Sequence, residues 1–289
     1  MLRKPLSLLA LGLSTLLVAA LAHAQTVDEI LAKHYEAMGG LAKLKALNTL
    51  RITGTIAMGP GMDAPLVMER KRPGKRRVEF TVQGMTGIHA FDGEKAWSLM
   101  PFTGKKDPEA ASEEENKTQK EDADFDGALV DWKEKGNTVE LAGKESVDGA
   151  DAFKLKVTKK NGNVETDFVD AETYLLVKTE GKTKFRGTEI EASTTFSDYK
   201  EVEGCMMPYS MEQGAKGSEQ RQKFTFSKIE LNVPLDDSRF SMPGPAAPAD
   251  SAKVAAKADT TKSAATKSTD KKSSGSAAKS AKKKDSKSK

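Results

Sequence analysis

KRRVEFTVQGMTGIHAF, residues 75–91, contains two strand-like runs on either side of a glycine-rich turn. In the first run, apolar Val78, Phe80 and Val82 alternate with polar residues, which is the period of a strand with one buried face. The residues GMTG at 84–87 are typical of a turn. The stretch predicts two antiparallel strands, and it decides the fold because the same pattern recurs along the chain.

Period-two runs lie on both sides of this hairpin, from about Asn48 to residue 100 and again after residue 137. They include TLRITGTIAM, APLVMERKR and KAWSLM in the first half, and DAFKLKVTK, NVETDFVD, CMMPYSMEQ and KFTFSKIEL in the second. Short connections such as KNGN and VDGA have tight-turn chemistry. Because parallel pairing needs long crossovers, about a dozen strands are predicted to pair antiparallel in one curled, mainly β domain.

Two segments predict helices instead. In TVDEILAKHYEAMGG, Thr26 and Glu29 are spaced as a capping box, an apolar stripe follows, and Gly39-Gly40 ends the helix. Leu41 to Leu47 predicts a second short helix. His34 lies beside the stripe and is interpreted as a helix-surface residue.

The longest insertion between strand runs is strongly charged and covers residues 108–137. It predicts a flexible acidic loop followed by an amphipathic helix at about residues 122–135. Within a meander of hairpins, such an insertion is a candidate lid or plug. Its apolar members, the lid candidates, are Phe125, Leu129 and Trp132.

The ends of the chain differ from its body. Residues 1–24 combine Arg3 and Lys4, an apolar run and Ala22-His23-Ala24, which predicts a signal peptide cleaved after Ala24; an uncleaved anchor helix is the alternative. With export, a bacterial periplasm is the expected compartment. Residues 25–244 form the predicted domain, and residues 245–289 a basic tail rich in Lys, Ala and Ser, which is predicted to be disordered.

Charge is divided between these parts. From residue 250 onward the chain has 12 Lys and 4 Asp, whereas residues 25–249 have 32 basic and 38 acidic side chains. The tail is therefore a candidate for contact with anionic membrane lipid, lipopolysaccharide, an acidic wall polymer or nucleic acid. It is equally compatible with a solubilising segment that folds back on the acidic body. Export disfavours nucleic acid.

The sequence offers little catalytic chemistry. Motifs for a nucleophilic serine, a zinc protease helix or a phosphate-binding loop do not occur in it. Asp122, Asp124 and Asp126 alternate like calcium ligands, but Lys133 occupies the position of the bidentate glutamate, so a solvated acidic loop is favoured. His89 has no second histidine near it in sequence. We therefore predict no enzyme activity, no metal and no cofactor.

The strands carry more apolar surface than the predicted helices can cover, and methionine is frequent on or beside them. Each such residue taken alone suits a core position, but together they favour a cavity for an apolar ligand. The cavity candidates are Met58, Met68, Val78, Phe80, Val82, Trp97, Leu99, Phe153, Leu155, Met207, Phe224 and Phe226.

Five stretches in this order and spacing resemble the LolA-like family of periplasmic lipoprotein carriers. They are DEILAKHYEAMGGLAKLKALNTLRITGTI, FDGEKAWSLMPFTG, DAETYLLVKTE, FSDYKEVEGCMMPYSMEQ and FTFSKIELNVPLDDSRFSMP. The resemblance implies an incomplete antiparallel β-barrel whose open side is covered by helices, with an apolar cavity for acyl chains. It also implies an arginine that holds the cavity closed, for which Arg51 is the nearest candidate.

The expected function is thus a non-enzymatic periplasmic carrier for the acyl chains of a lipid or lipoprotein. The resemblance implies a part in outer-membrane lipoprotein sorting. The alternative is an envelope interaction or stress-sensing protein whose basic tail binds anionic surfaces. Cys205, the single cysteine, follows Gly204 and precedes two methionines. It is predicted to be a small buried hydrophobic residue, with an intermolecular disulfide as the alternative.

Overall fold

One antiparallel sheet organises the protein. The computed structural model describes residues 25–59, 61–185 and 188–244, and within them thirteen strands lie in the order β6-β5-β4-β3-β2-β1-β13-β12-β11-β10-β9-β8-β7. The strands are β1 Thr49–Gly59, β2 Met62–Lys71, β3 Lys75–Val82, β4 Met85–Phe91, β5 Ala96–Met100, β6 Lys105–Ala110, β7 Thr138–Val147, β8 Ala150–Thr158, β9 Val164–Asp170, β10 Leu176–Phe185, β11 Thr188–Val202, β12 Cys205–Ala215 and β13 Gln222–Leu231. The helices are α1 Val27–Ala37, α2 Leu41–Ala46 and α3 Glu113–Asp122, with 3₁₀ turns at Pro101–Thr103 and Asp237–Arg239.

The sheet is curled but not closed into a barrel. Strands adjacent in sequence pair as hairpins, and β13 returns to pair with β1 in the middle of the sheet. The edges are consequently β6 and β7, which are joined by the long insertion that includes α3. The predicted incomplete antiparallel barrel is confirmed.

The register across the strands defines two faces. Leu155 pairs with Asp167, Asp167 with Thr179, and Thr179 with Thr194, so these residues share one face. From Thr194 the same face continues along β11 to Phe196, which pairs with Met211, and from there to Phe224. We call this the inner face, because the helices pack on it. The opposite side is the outer face.

The inner face has two wings. In the first, residues of β1–β3, β12 and β13 form a cluster with Leu47 at the end of α2. In the second, Ile30 and Leu31 of α1 pack on Leu155 and Val157 of β8 and on β9. Among the described residues, no helix has the length and apolar character needed to cross a membrane.

The first helix begins as predicted. Thr26 accepts a hydrogen bond from the Glu29 backbone, and the Glu29 side chain accepts one from the Thr26 backbone, which completes the capping box. His34 is not a surface residue, contrary to the sequence interpretation. It is buried, its Nδ1 lies 2.8 Å from the Tyr174 carbonyl oxygen, and burial lowers its pKa.

The turn after α1 packs against the turn between β11 and β12. Gly39 has φ of 109°, and a Cβ there would lie 2.2 Å from the Gly204 carbonyl oxygen, so no larger residue fits. Met206 N–H donates to the Met38 carbonyl over 3.2 Å. Cys205 lies beneath this junction with 0% exposure, as predicted for a buried hydrophobic residue, and burial raises the pKa of its thiol.

The prediction of a helix at residues 122–135 is wrong. The helix is α3, in the acidic run before it, where Ser112 and Glu115 form a capping box and acidic side chains occupy the first turn. Residues 125–136 form successive turns instead. Gly127, Asp131 and Gly136 have φ of 71°, 51° and 77°, in the left-handed region that interrupts a helix.

Candidate functional site

A continuous apolar surface covers the inner face of the first wing. Its floor is buried and includes Ile56, Leu66, Phe224 and Phe226. Around that floor lie apolar side chains that are only partly buried: Ile52, Met68, Val78, Phe80, Val82, Met207, Tyr209 and Met211. The structure therefore brings together seven of the predicted cavity residues, and Met58 lies at the end of β1 beside them, 40% exposed.

Phe153 and Leu155 occupy a different part of the inner face. They lie in the second wing with exposures of 3% and 0%, beneath Ile30 and Leu31 of α1. Phe153 also stacks on Tyr174, with ring centroids 5.8 Å apart. These two residues belong to the interface between the sheet and α1, so the predicted set divides between the wings.

Trp97 and Leu99 are on the outer face, which corrects their prediction as cavity residues. His89 pairs with Ser98 on the inner side, and Trp97 alternates with Ser98 along β5. Trp97 is 3% exposed because the C-terminal segment covers it, and its Nε1 donates to the Phe240 carbonyl over 2.7 Å. Alternation within one strand separates its residues into two sets. It does not show which set lies on the same face of the sheet as a given set in the neighbouring strand.

Arg51 also lies on the outer face, so it does not hold a lid. Its Nε is 2.9 Å from Oε1 of Glu69, and Nε of Arg239 is 2.6 Å from the other carboxylate oxygen. Glu69 is 1% exposed between the two cations. These ion pairs hold the C-terminal segment, residues 235–240, against the sheet.

Residues 123–137, which we call the covering segment, lie over the inner face. Phe125 packs on the first wing, while Leu129 and Trp132 pack with α1 in the second. The Tyr35 hydroxyl on α1 donates to the Leu129 carbonyl over 2.7 Å. The three lid candidates thus bridge the two wings, although they do so from turns rather than from a helix.

Arg72, just after β2, is the cation that holds the covering segment. Its guanidinium forms a two-pronged ion pair with Asp126, with Nη2 2.6 Å from Oδ1, and lies 4.5 Å from the centroid of the Phe125 ring. It also donates to the carbonyls of Leu44 and Leu47, over 3.2 and 2.5 Å. Arg72 therefore connects the covering segment to α2 and to the end of β2.

Arg70 supports the same segment from within the sheet. Its Nη2 donates to the carbonyls of Asp122 and Asp124, over 2.6 and 3.0 Å. Burial and the nearby Arg76 lower its pKa to about 10, and its Nε has no hydrogen-bond partner. Neither Arg70 nor Arg72 was predicted from the sequence to hold the covering segment. The sequence does indicate the position of Arg70, because it follows Leu66 and Met68 at intervals of two residues and so lies on the same face of the strand.

A polar cleft lies beside the covering segment. Its volume is about 560 Å³, and its lining includes Arg70, Asp124, Lys135, Lys159 and Glu165. Lys135 pairs with Asp124, and Lys159 with Glu165, over 2.6 and 2.7 Å. None of the predicted cavity residues lines this cleft, so the apolar surface of the first wing is a separate feature.

Asp167 is a buried carboxyl in the second wing. It is 3% exposed, and one of its oxygens has no hydrogen-bond partner. Burial and the negative charge of Glu165 raise its pKa well above the usual range, while Lys159 opposes the shift. An ionised carboxylate at this position is costly, because little compensates for its lost hydration.

The three alternating aspartates of the insertion are paired with cations, while the Asp122 side chain is still 52% exposed. Asp122, Asp124 and Asp126 pair with Arg76, Lys135 and Arg72, respectively. Within residues 25–59, 61–185 and 188–244, no three histidine, cysteine, aspartate or glutamate side chains are placed to hold a metal ion. His89 stacks on Phe80, with ring centroids 6.2 Å apart.

Comparison with known proteins gives a family and a fold. A family model described as "Uncharacterized protein" matches residues 83–243. No curated protein sequence matches the chain.

Three solved structures are similar to this chain over most of its length, and the two with a TM-score of 0.50 share its fold. A DUF1329 family protein from Desulfovibrio piger has 16% identity and a TM-score of 0.50, over 72% of this chain and 95% of that one. A domain named for outer-membrane lipoprotein sorting, from Vibrio parahaemolyticus, also has 16% identity and a TM-score of 0.50, over 73% and 94%. A LolA superfamily protein from Nitrosomonas europaea has 17% identity and a TM-score of 0.49, over 75% and 98%. The fold implied by the sequence resemblance is confirmed.

Proposed function

We propose that this chain, which belongs to the family whose model matches residues 83–243, is a non-enzymatic periplasmic carrier that shelters acyl chains of a lipid or lipoprotein. The acyl chain would lie on the apolar inner face of the first wing. A shared fold does not by itself fix a ligand, so the proposal depends on the chemistry of this surface.

The observation that carries the proposal is the half-buried apolar surface around Val78 and Phe80. The partly buried side chains named above come from four strands, β1, β2, β3 and β12, and they are neither fully packed nor replaced by polar groups. Each methylene transferred from water to such a surface contributes about 0.8 kcal/mol, so a long acyl chain supplies a large driving force. Met68, Met207 and Met211 have flexible thioether side chains that adapt to ligands of different shape.

The covering segment gives this surface a means of opening. Phe125 is its apolar contact with the first wing, and Arg72 is its main polar attachment there. Displacement of Phe125 would extend the apolar surface, while Leu129 and Trp132 remain packed with α1. We infer that the segment moves aside at its Phe125 end when a chain is loaded.

Two valines on adjacent strands offer a matched test. Val78 and Val67 are both half-buried, but Val78 lies on the inner face and Val67 pairs with Thr53 and Glu79 on the outer face. Uptake of a fluorescent fatty acid should fall at least about ten-fold in Val78→Asp, because a charge then faces the acyl chain. Val67→Asp should retain uptake.

Native mass spectrometry of the purified protein provides the companion measurement. Lipid should co-purify with the wild type and with Val67→Asp, and it should be lost from Val78→Asp. Protein that is consistently free of lipid and takes up no fatty acid would reject the proposal. Equal uptake by the two variants would place binding elsewhere.

The basic tail is assigned a separate role in this proposal. The excess of Lys over Asp in the tail favours contact with anionic lipid or lipopolysaccharide. Deletion of residues 245–289 should abolish salt-sensitive binding to lipopolysaccharide and leave fatty-acid uptake unchanged. Persistence of that binding after the deletion would exclude the tail as the contact.

A further inference from the structure

Three neighbouring hairpin tips form an uncharged surface at one end of the strands β1 to β6. The connections between β1 and β2, β3 and β4, and β5 and β6 lie side by side, because these strands are consecutive in the antiparallel sheet. Residues 57–62, 80–91 and 96–104 contain no charged side chain, although 30% of the chain is charged. The absence of charge in three adjacent tips is therefore a local property of this surface.

Exposed methionines occupy two of these tips. Met58, Met62 and Met85 are 40%, 56% and 38% exposed, and we call them the methionine rim. Met62 has the strand parity of Ala64, and Met85 pairs with Val82, so both continue the apolar rows of the inner face. The rim is consequently the exposed end of the surface described above.

The third tip supplies an aromatic ring next to the rim. Phe102, in the 3₁₀ turn after β5, packs against Phe80 with ring centroids 5.6 Å apart. It lies over Gly87, where a Cβ would be 2.8 Å from the Phe102 ring. Lys105 and Lys106 follow directly and are exposed. Uncharged apolar tips bordered by lysine are the pattern of elements that enter a membrane interface.

Two further hairpin turns at the same end of the sheet carry charged residues. The turn between β8 and β9 contains Lys159, Lys160 and Asn161, and the turn between β12 and β13 contains Lys216 and Glu219. A general tendency of hairpin turns towards apolar residues therefore does not account for the rim. Among the described tips at this end of the sheet, the uncharged ones are those that connect the consecutive strands β1 to β6.

We propose that the methionine rim docks on the surface of a lipid bilayer. A bilayer fits better than a protein partner, because exposed lysines border the apolar tips and the rim has none of the Trp, Tyr and Arg side chains that form the hot spots of protein interfaces. The flexible methionines on the two tips can enter the headgroup region together. Lys105 and Lys106 would then remain at the polar level of the headgroups. The docking does not depend on the inner face holding a lipid, although an acyl chain could then pass between bilayer and inner face without crossing water.

Vesicle flotation tests the docking with the chain from Gln25 onward, which is the exported form that the sequence predicts. The protein should bind zwitterionic phosphatidylcholine vesicles, and binding should persist near 1 M salt, where the Debye length is about 3 Å. The triple variant Met58→Asp, Met62→Asp, Met85→Asp should partition at least about 100-fold less. Val164→Asp is the matched control, since Val164 is 44% exposed at the start of β9, away from the rim, and it should bind like the wild type.

Peroxide oxidation gives a second measurement on the wild-type protein and does not depend on the folding of a variant. Vesicles should protect Met58, Met62 and Met85 from conversion to the sulfoxide. Met242, 47% exposed beyond the C-terminal segment, should be oxidised at the same rate with and without vesicles.

Three results would overturn the docking proposal. One is equal vesicle binding by the triple variant and the wild type. Another is binding only to anionic vesicles that high salt abolishes, which would assign it to the tail. The third is no binding to either vesicle, with unprotected methionines, which would leave a protein as the occupant. Val78→Asp, which should lose fatty-acid uptake, should still bind vesicles like the wild type because Val78 is not part of the rim, so failure of the docking is distinguishable from failure of the proposed carrier function.

Discussion

At the scale of single residues, Arg72 controls the attachment of the covering segment. Arg72→Ala removes the ion pair to Asp126, the contact with Phe125 and two hydrogen bonds to carbonyls of α2 and its end. Loss of such interactions costs about 1–3 kcal/mol. We expect amide hydrogen exchange in residues 124–130 to accelerate about ten-fold to a hundred-fold, as measured by mass spectrometry.

The control for this prediction is Arg51→Ala, because Arg51 is on the outer face and pairs with Glu69 instead. It should leave exchange in residues 124–130 unchanged. Arg72→Lys should give an intermediate rate, since lysine keeps the charge but lacks the planar fork that pairs with both oxygens of Asp126. Identical rates in wild type and Arg72→Ala would contradict the assigned role.

Asp167 predicts a specific dependence of stability on pH. Its folded-state pKa is raised, chiefly by burial and then by Glu165, with Lys159 acting in the opposite direction. A raised carboxyl pKa means that stability is fully present below the unfolded pKa and is lost as pH rises through the folded pKa. Asp167→Asn should therefore raise the melting temperature relative to wild type at pH above the folded pKa, and the difference should vanish in acid. A difference that is constant with pH, or a less stable variant at neutral pH, would count against this account.

At the scale of elements, the C-terminal segment is anchored to the outer face through Glu69. Two arginines, Arg51 and Arg239, approach its buried carboxylate. Glu69→Gln removes the carboxylate that lies between the two arginines, although Arg239 keeps its ion pair with Glu79. Breaking a buried ion pair on one side typically costs about 3–5 kcal/mol. We expect the free energy of unfolding to fall by an amount near the lower figure, because both arginines are partly exposed. Denaturant unfolding measures this change.

An exposed glutamate provides the comparison. Glu145 pairs with Lys154 across β7 and β8, and their side chains are 44% and 36% exposed. Glu145→Gln should change the free energy of unfolding by less than about 1 kcal/mol. If the two variants were equally stable, Glu69 would have no special part in holding the segment.

The elements also show what the sequence could and could not predict. The strands followed from period-two alternation and from glycine turns such as that at Gln83-Gly84, because both signals are local. The helix at 122–135 was a wrong prediction, since the spacing of Phe125, Leu129 and Trp132 fits a helix but left-handed residues interrupt it. The true helix, α3, has no buried residue, so only its capping box marked it. Trp97 was assigned to the wrong face because register between strands is a property of pairing and turns.

At the scale of the whole molecule, the two wings of the sheet differ in how completely their apolar residues are covered. The second wing is closed by α1, whose Ile30 and Leu31 are 0% and 1% exposed, and it provides stability. The first wing keeps Met211 and its neighbours half-buried. Sequence composition predicted apolar residues for both wings alike. The division arises from where α1 packs, which is a long-range contact that no local pattern specifies.

This division gives opposite expectations for two truncations to alanine. Leu31→Ala should lower the free energy of unfolding by about 2–5 kcal/mol, the range for large-to-small changes in a core, and leave the fatty-acid affinity of the folded protein unchanged. Met211→Ala should cost less stability, because its side chain is already partly in water, but weaken fatty-acid binding by removing contact area from the surface. Denaturant unfolding and fluorescent fatty-acid titration on both variants check the pair. Weaker binding in folded Leu31→Ala with full binding in Met211→Ala would assign the ligand to the second wing, under α1 rather than beside the methionine rim.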